Sequence, residues 1–468
     1  MSDSTAPAGW TRTTIKELAG TTGLFVDGDW VESKDQDPNG NIRLLQLADI
    51  GDSTFLDKSD RWINEDAFVR LRCTELATGD VLVARMPDPL GRACLMPALE
   101  QRCVTVVDVA ALRVDSENID NRWVMQTINS PQIRAEIAAQ SSGTTRRRIS
   151  RGRLGEMEIP LPPKAEQTRI ANQLDTLLTR IQSCNDRFDA IPALLKRFRQ
   201  TIYMAAMSGT LTEDWRAANN VNDWTHERAA DVCAKVQSGG TPKEGFSARG
   251  VPFLKVYNIV NQKVAFDYKP QYIESSIHHG SMAKSRTQPG DVLMNIVGPP
   301  LGKVAIVPAH RNEWNINQAI TLFRPSERIS TGWLYCILCS GVNIADIIHE
   351  TRGSAGQVNI SLSQCRDFVF PVPTVAEQAE IVRRVEALFA LADRIEARCT
   401  AARTQAQRLS PLVLAKAFRG ELMPQDPNDE PASALLTRIA SSNTTVAGKN
   451  ELKVPVALKE HAQATINL

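Results

Sequence analysis

The side chains with the most evident chemistry lie in a run of arginines set among small polar residues: Ser141-Ser-Gly-Thr-Thr-Arg146-Arg147-Arg148-Ile-Ser-Arg151-Gly-Arg153. Guanidinium groups on such a loop suit phosphate contact and two-pronged recognition of guanine. Farther along, the corresponding place reads Arg352-Gly-Ser-Ala-Gly-Gln357-Val-Asn359-Ile-Ser, where Gln and Asn suit adenine. Further candidates for DNA contact are Lys58, Arg61, Arg85, Arg92, Thr241, Lys243, Lys255, Asn258, Asn295, Lys303 and, beside Asn317, Gln318. The alternative for each is a solvated loop charge or a turn hydrogen bond. The arginine run is the least readily explained that way. The net charge of +1 neither supports nor excludes a nucleic-acid partner, because a basic face is easily balanced by acidic surface elsewhere in a long chain.

Catalytic and cofactor signatures are missing from the sequence. There is no GxxxxGK[ST] loop for nucleoside triphosphates and no GxGxxG turn for dinucleotides. No Asn- or Asp-Pro-Pro-aromatic tetrapeptide of the aminomethyltransferase kind occurs; the nearest approach is Asn295-Ile-Val-Gly-Pro-Pro. Six histidines, with His278 and His279 adjacent, make no metal or triad spacing, so no metal ligands are expected. Cys336 and Cys339 form a lone CxxC inside an apolar run, which reads as buried thiols on a helix and not as half of a zinc site. No apolar run is long enough for a transmembrane helix, and residues 1–10 have no secretory pattern. With its scattered single cysteines, the chain is expected in a reducing prokaryotic cytoplasm.

The elements that position these residues occur twice. Gly79-Asp-Val-Leu82 recurs as Gly290-Asp-Val-Leu293, and Pro89-Leu-Gly-Arg92 as Pro300-Leu-Gly-Lys303. Ile159-Pro-Leu-Pro162 recurs as Phe370-Pro-Val-Pro373, and Ala165-Glu-Gln167 as Ala376-Glu-Gln378. All share an offset of about 211 positions, too many matches in one register for chance. Trp10 and Trp224 look equivalent at a different offset, and Ser238-Gly-Gly-Thr-Pro242 has no visible counterpart in the first half. The frame repeats and the filling does not.

After each Glu-Gln comes a helical pattern with apolar residues alternately four and three apart, from Ile170 to Ile202 and from Ile381 to Val413. This is a heptad seam, which predicts two long helices pairing with each other. Pro192 and Pro411 predict kinks or breaks, and Gly209 and Gly420 are placed as C-terminal caps. Some forty residues at about 1.5 Å each span roughly 60 Å, more than one turn of B-DNA. Each globular part reads as short strands with one helix before the closing strand, over Trp123–Gln140 and Trp333–Glu350. The expected class is α+β: two mixed domains in tandem, each followed by a long helix, the helices forming an antiparallel coiled coil. The expected boundaries are domain 1 at 1–163, the central helix at 164–212, domain 2 at 213–374, the C-terminal helix at 375–422, and a short helix with a flexible tail at 423–468.

These duplicated blocks resemble the DNA-specificity (S) subunit of Type I restriction-modification systems over roughly residues 10–440. The second domain adds Asp223-Trp224, Ser238-Gly-Gly-Thr-Pro242, Pro252-Phe-Leu-Lys-Val-Tyr-Asn-Ile and Gly356-Gln-Val-Asn-Ile-Ser, and the chain adds Ala417-Phe-Arg-Gly-Glu-Leu422. The first domain departs, reading Arg43-Leu-Leu-Gln-Leu-Ala-Asp-Ile and lacking Gly-Thr-Pro. The resemblance implies two target-recognition domains reading the halves of a split asymmetric site in double-stranded DNA. It implies a chain that is no enzyme itself and scaffolds two methyltransferase (M) subunits and restriction (R) subunits. S-adenosylmethionine, ATP and magnesium would belong to those partners, within a complex acting as an adenine-N6 methyltransferase and ATP-dependent endonuclease. Two other readings stay open: the recognition subunit of a Type II enzyme that cuts on both sides of its site, and an architectural coiled-coil protein without sequence preference.

Overall fold

In a computed structural model, the described residues are 7–143, 146–221, 223–350 and 359–440, without the side chains of 346 and 348–350. The chain divides into two compact units: residues 1–187 with 402–468, and residues 188–401. Two helices of 44 residues, Lys164–Met207 and Val375–Phe418, each contribute one part to each unit.

Unit 1 holds strands β1 (Thr11–Thr14), β2 (Leu24–Asp27), β3 (Ile42–Leu45), β4 (Trp62–Ile63), β5 (Val81–Ala84), β6 (Ala93–Leu95), β7 (Arg102–Thr105), β8 (Val109–Arg113) and β9 (Glu158–Leu161). They form an antiparallel sheet β2-β8-β5-β6, a mixed sheet β4-β3-β7 with β3 parallel to β7, and a closing pair β1-β9. Unit 2 holds β10 (Thr225–Arg228), β11 (Lys235–Ser238), β12 (Val251–Leu254), β13 (Ile259–Val260), β14 (Lys263–Val264), β15 (Tyr272–Ile273), β16 (Arg286–Thr287), β17 (Val292–Asn295), β18 (Val304–Ile306), β19 (Trp314–Ile316), β20 (Ile320–Arg324) and β21 (Val369–Val372). The same plan returns as β11-β20-β17-β18, β15-β12-β19-β16 with β12 parallel to β19, and β10-β21. The register repeats too: Val81 faces Leu112 as Val292 faces Phe323.

Matched buried polar contacts hold each frame. Arg113 clasps Asp80 with two bonds of 2.8 Å, and Arg324 clasps Asp291 with two of 2.8 Å, explaining why Gly-Asp-Val-Leu recurs. Glu and Gln at each helix start are fully buried. Trp10 Nε1 donates to Glu166 at 3.0 Å, and Trp224 Nε1 to Glu377 at 2.9 Å, so the two tryptophans are equivalent despite their offset. Gln167 donates to the Pro162 carbonyl and accepts from the Asp120 amide, both at 2.9 Å. Gln378 does the same with Pro373 at 3.0 Å and Ser330 at 2.8 Å. A carboxylate in the first helical turn also faces the positive end of the helix dipole.

In unit 2 the stretch from Gly209 to Trp224 supplies Thr212, Arg216 and Trp224 to Glu377. In unit 1 that role is shared by two segments, around Trp10 and around Gln425. Trp10 and Gln425 both reach Glu166, the Ala432 amide donates to the Gly9 carbonyl at 2.9 Å, and Arg169 pairs with Asp429. Residues 432–440 are helical and bury Ala432, Leu435 and Ile439 in the unit 1 core.

The helices pack antiparallel: in unit 2, Arg199 meets Asp393 and Glu396 while Tyr203 meets Phe389. Ile170, Leu174, Ile181, Leu195 and Ile202 of the seam are buried, whereas Phe198, Ile395 and Leu409 stay exposed. Both helices continue through Pro192 and Pro411 without a break; the helical turns on either side of each proline offset the one backbone bond it removes. Gly209 and Gly420 follow the helix ends at φ 78° and 70°. The expected single helices before the closing strands are each two. Asn121–Ile128 and Pro131–Gln140 are separated because Ser130 caps a helix that Pro131 opens. Thr331–Ser340 and Val342–Glu350 are separated by Gly341 at φ 71°. Among the described residues no helix is long and apolar enough to cross a membrane.

Replacing Arg113 or Arg324 by Ala strands a buried carboxylate, which should cost about 3–5 kcal/mol in urea unfolding. A loss under about 1 kcal/mol would show that the pair does not hold the frame.

Candidate nucleic-acid interface

Strands β3 and β12 run into the same turn. Gln46 and Lys255 precede three-residue 3-10 helices, Leu47–Asp49 and Val256–Asn258, and their amides donate back to Asp49 at 2.7 Å and Asn258 at 2.9 Å. Arg43–Ile50 is thus the counterpart of Pro252–Ile259, and the departure of the first domain is a change of residues on one backbone. Both turn residues are buried and hold the loop that follows. Asp49 accepts the amides of Lys58 at 2.8 Å and Ser59 at 2.7 Å, and the Ser59 hydroxyl. Burial alone would raise the Asp49 pKa, but the bonds from Ser59, Gln46 and Lys58 outweigh it and hold the carboxyl below its ordinary value. Asn258 donates to the carbonyls of Ala265 at 3.3 Å and Tyr268 at 2.9 Å. Asn258 is therefore not a base reader: its amide is consumed inside the protein.

A second shared feature was invisible in the sequence. Gly239 donates to Ile320 at 2.8 Å as Gly28 donates to Val109 at 2.8 Å, and parallel bridges follow at Gly240–Asn317 and Asp29–Val106. A Cβ on Gly28 would stand 2.2 Å from the Val106 carbonyl oxygen, and one on Gly239 2.1 Å from that of Asn317. Ser238-Gly-Gly-Thr241 therefore has a counterpart, Asp27-Gly-Asp-Trp30, betrayed only by one glycine at the common offset. Trp30, at the place of Thr241, is 67% exposed.

Three further candidates are corrected for the same reason as Asn258. Arg85 is buried, bonded to the carbonyls of Ile149 and Val107 and paired with Asp27. Arg92 is buried and donates to the carbonyls of Ile50, Pro89 and Leu47. Asn295 accepts the Lys303 amide and donates to the carbonyls of Val297, Gly298 and Pro300, closing the Gly-Pro-Pro turn. Buried and turned towards backbone carbonyls, these guanidinium and amide groups are out of reach of a base edge.

The other described candidates reach the surface in varying degree. Lys58, Arg61, Arg146, Arg147, Arg151, Thr241, Lys243, Gln318 and Asn359 are exposed; Arg148, Lys255 and Lys303 are half-buried. Within the arginine run, Arg147 holds the Ala138 carbonyl at 2.6 Å and Arg151 that of Phe25 at 2.8 Å, while Arg148 lies 3.7 Å from Asp108. Arg352 and Gln357 lie outside the described residues.

Unit 2 adds aromatic side chains that the sequence could not separate from core residues. Lys255 Nζ lies 4.4 Å over the ring of Phe246, which is 45% exposed. Tyr257 and Tyr268 meet edge to face, Lys269 Nζ lies 5.4 Å over the Tyr268 ring, and Tyr268 is 54% exposed. Cations on exposed rings suit phosphate contact and stacking.

Burial pushes the thiols of Cys336 and Cys339, on one helix as expected, up to about 12 and about 11. His278, His279 and Glu313 come together. Asn315, itself fixed by Met282 and Ile316, donates to His278 Nδ1 at 3.0 Å, which puts the neutral ring's proton on Nε2, the atom facing Glu313. A metal there would need that atom bare.

Comparison with known proteins agrees with this geometry. Residues 7–192 and 222–401 match the Type I restriction modification DNA specificity domain. The specificity subunit of the Type I restriction enzyme EcoBI from Escherichia coli is 30% identical over 390 residues, spanning 76% of this chain and 78% of that protein. The HsdS subunit of Thermoanaerobacter tengcongensis shares the fold at a TM-score of 0.56 and 17% identity, covering 89% of this chain and 98% of that one. A chain from a structure concerned with assembly and conformational transition of a type I R-M system gives a TM-score of 0.62 at 16% identity, covering 89% and 99%. Twofold repetition of the recognition domain, each copy leading into its own long helix, is thus what this chain shares with them, and it belongs to the Type I restriction-modification DNA specificity subunits.

Proposed function

We propose that the chain reads a split, asymmetric site in double-stranded DNA, one half with each domain, and carries two methyltransferase subunits and, where present, restriction subunits. The observation that carries this reading is the contrast between frame and surface. Sheets, registers and buried polar contacts repeat between the units, while exposed side chains at equivalent places differ, as Trp30 differs from Thr241. Two like scaffolds with unlike surfaces suit two different DNA words. Lys58, Arg61, Arg146 to Arg148, Arg151, Thr241, Lys243, Lys255, Lys303, Gln318 and Asn359 are the proposed DNA contacts, with Trp30, Phe246, Tyr268 and Lys269 added by the structure. The protein supplies recognition; S-adenosylmethionine, ATP and magnesium chemistry belongs to the partners, and the target adenine must leave the stack to reach the methyltransferase. A prokaryotic cytoplasmic location follows from this role.

Sequencing for N6-methyladenine in cells carrying the chain and its methyltransferase should show one split asymmetric motif that vanishes on deleting the chain; methylation that persists would contradict the reading. The long helices are proposed to set the unread gap. Removing one heptad from each takes out about 10 Å of helix, about three base pairs. The gap should shorten while both half-sites persist, and loss of both half-sites would show that the helices do more than measure.

A further inference from the structure

The turn after β3 and the turn after β12 share a backbone and differ at one buried position, Asp49 against Asn258. The difference is one of hydrogen-bonding sense. A carboxylate only accepts, so Asp49 draws inward the amides of Lys58 and Ser59 and the Ser59 hydroxyl. A carboxamide also donates, so Asn258 draws inward the carbonyls of Ala265 and Tyr268. What turns inward on a loop decides what its side chains do outside. In domain 1 the loop carries Lys58 and Arg61, and its far end is pinned by Arg43, which bonds the Ser59 carbonyl at 2.8 Å and pairs with Asp57. In domain 2 the loop carries Tyr268 and Lys269, and Tyr257 bonds the Lys269 carbonyl at 3.2 Å.

We propose that Asp49 and Asn258 are positioning residues for sequence specificity, each fixing the loop that its own domain presents to its half of the DNA site. The proposal rests on the reading of these loops as DNA-facing. Neither residue touches DNA; each acts through backbone groups of its loop. An amide at position 49 would set its NH2 group against two donors whichever way it turned, the amides of Lys58 and Ser59 or the Gln46 amide and the Ser59 hydroxyl. A carboxylate at position 258 would oppose two carbonyls. Either exchange releases one loop and leaves the other domain unaltered.

The test uses the full chain with its methyltransferase partner and three variants, Asp49→Asn, Asn258→Asp and the milder Ser59→Ala. Sequencing for N6-methyladenine gives discrimination at every base of both half-sites. Asp49→Asn should lower discrimination at least tenfold at one or more bases of one half-site, with the other half within twofold of the unaltered chain. Ser59→Ala should weaken the same bases less, and Asn258→Asp should act on the opposite half. A purely structural role would reduce methylation evenly over both halves. That result, or unchanged discrimination in Asp49→Asn and Asn258→Asp, overturns the proposal. Absence of any split motif with the unaltered chain instead overturns the DNA reading beneath it.

Discussion

The constraint on which the rest depends is the buried Glu-Gln pair at the start of each long helix. Glu166 and Glu377 lie buried without a full ion pair in unit 1 and with Arg216 in unit 2, and each is fixed by an indole N–H. The neighbouring glutamines tie the helix to the proline-rich closing strand and to the helix cap behind the sheet. A buried carboxylate is costly unless its oxygens are bonded, so the partners around it are specified together. That joins strand pairing, tryptophan placement and helix entry into one arrangement, and the arrangement occurs twice. Unit 1 completes the site around Glu166 with two segments far apart in sequence, through Trp10 and Gln425.

From that anchor the fold separates two kinds of residue. Asp80 with Arg113 and Asp291 with Arg324 belong to the repeated frame. The loops after β3 and β12 belong to the part that is free to differ. Asp49 and Asn258 stand at the junction: their backbone is part of the frame, while their side chains dictate loop geometry. A specificity protein can alter its surface in this way without disturbing its core.

Much of this was legible in the residues. The common offset of Gly-Asp-Val-Leu and Ala-Glu-Gln disclosed the duplication, because buried charges and helix starts tolerate few substitutes. The heptad spacing disclosed the helices. The candidate contacts were less legible for a definite reason. Arg85, Arg92, Asn258 and Asn295 have the side chains that read bases, and the same donors and acceptors serve to satisfy backbone groups in a turn-rich fold. Only burial tells the two uses apart. Trp30, Phe246 and Tyr268 were missed for the opposite reason, since an aromatic residue in a strand-rich sequence reads as core. The Asp27-Gly-Asp-Trp30 counterpart was hidden because only Gly28 is required, by the close approach of Val106.

The most direct measurement is competition binding of the purified complex, at one fixed salt concentration, to a duplex with both half-sites and to duplexes with either half scrambled. The account predicts that each scramble weakens binding on its own, with single mismatches costing about 1–3 kcal/mol each. Equal affinity for all three duplexes would contradict it, because binding would then rest on phosphate contacts alone.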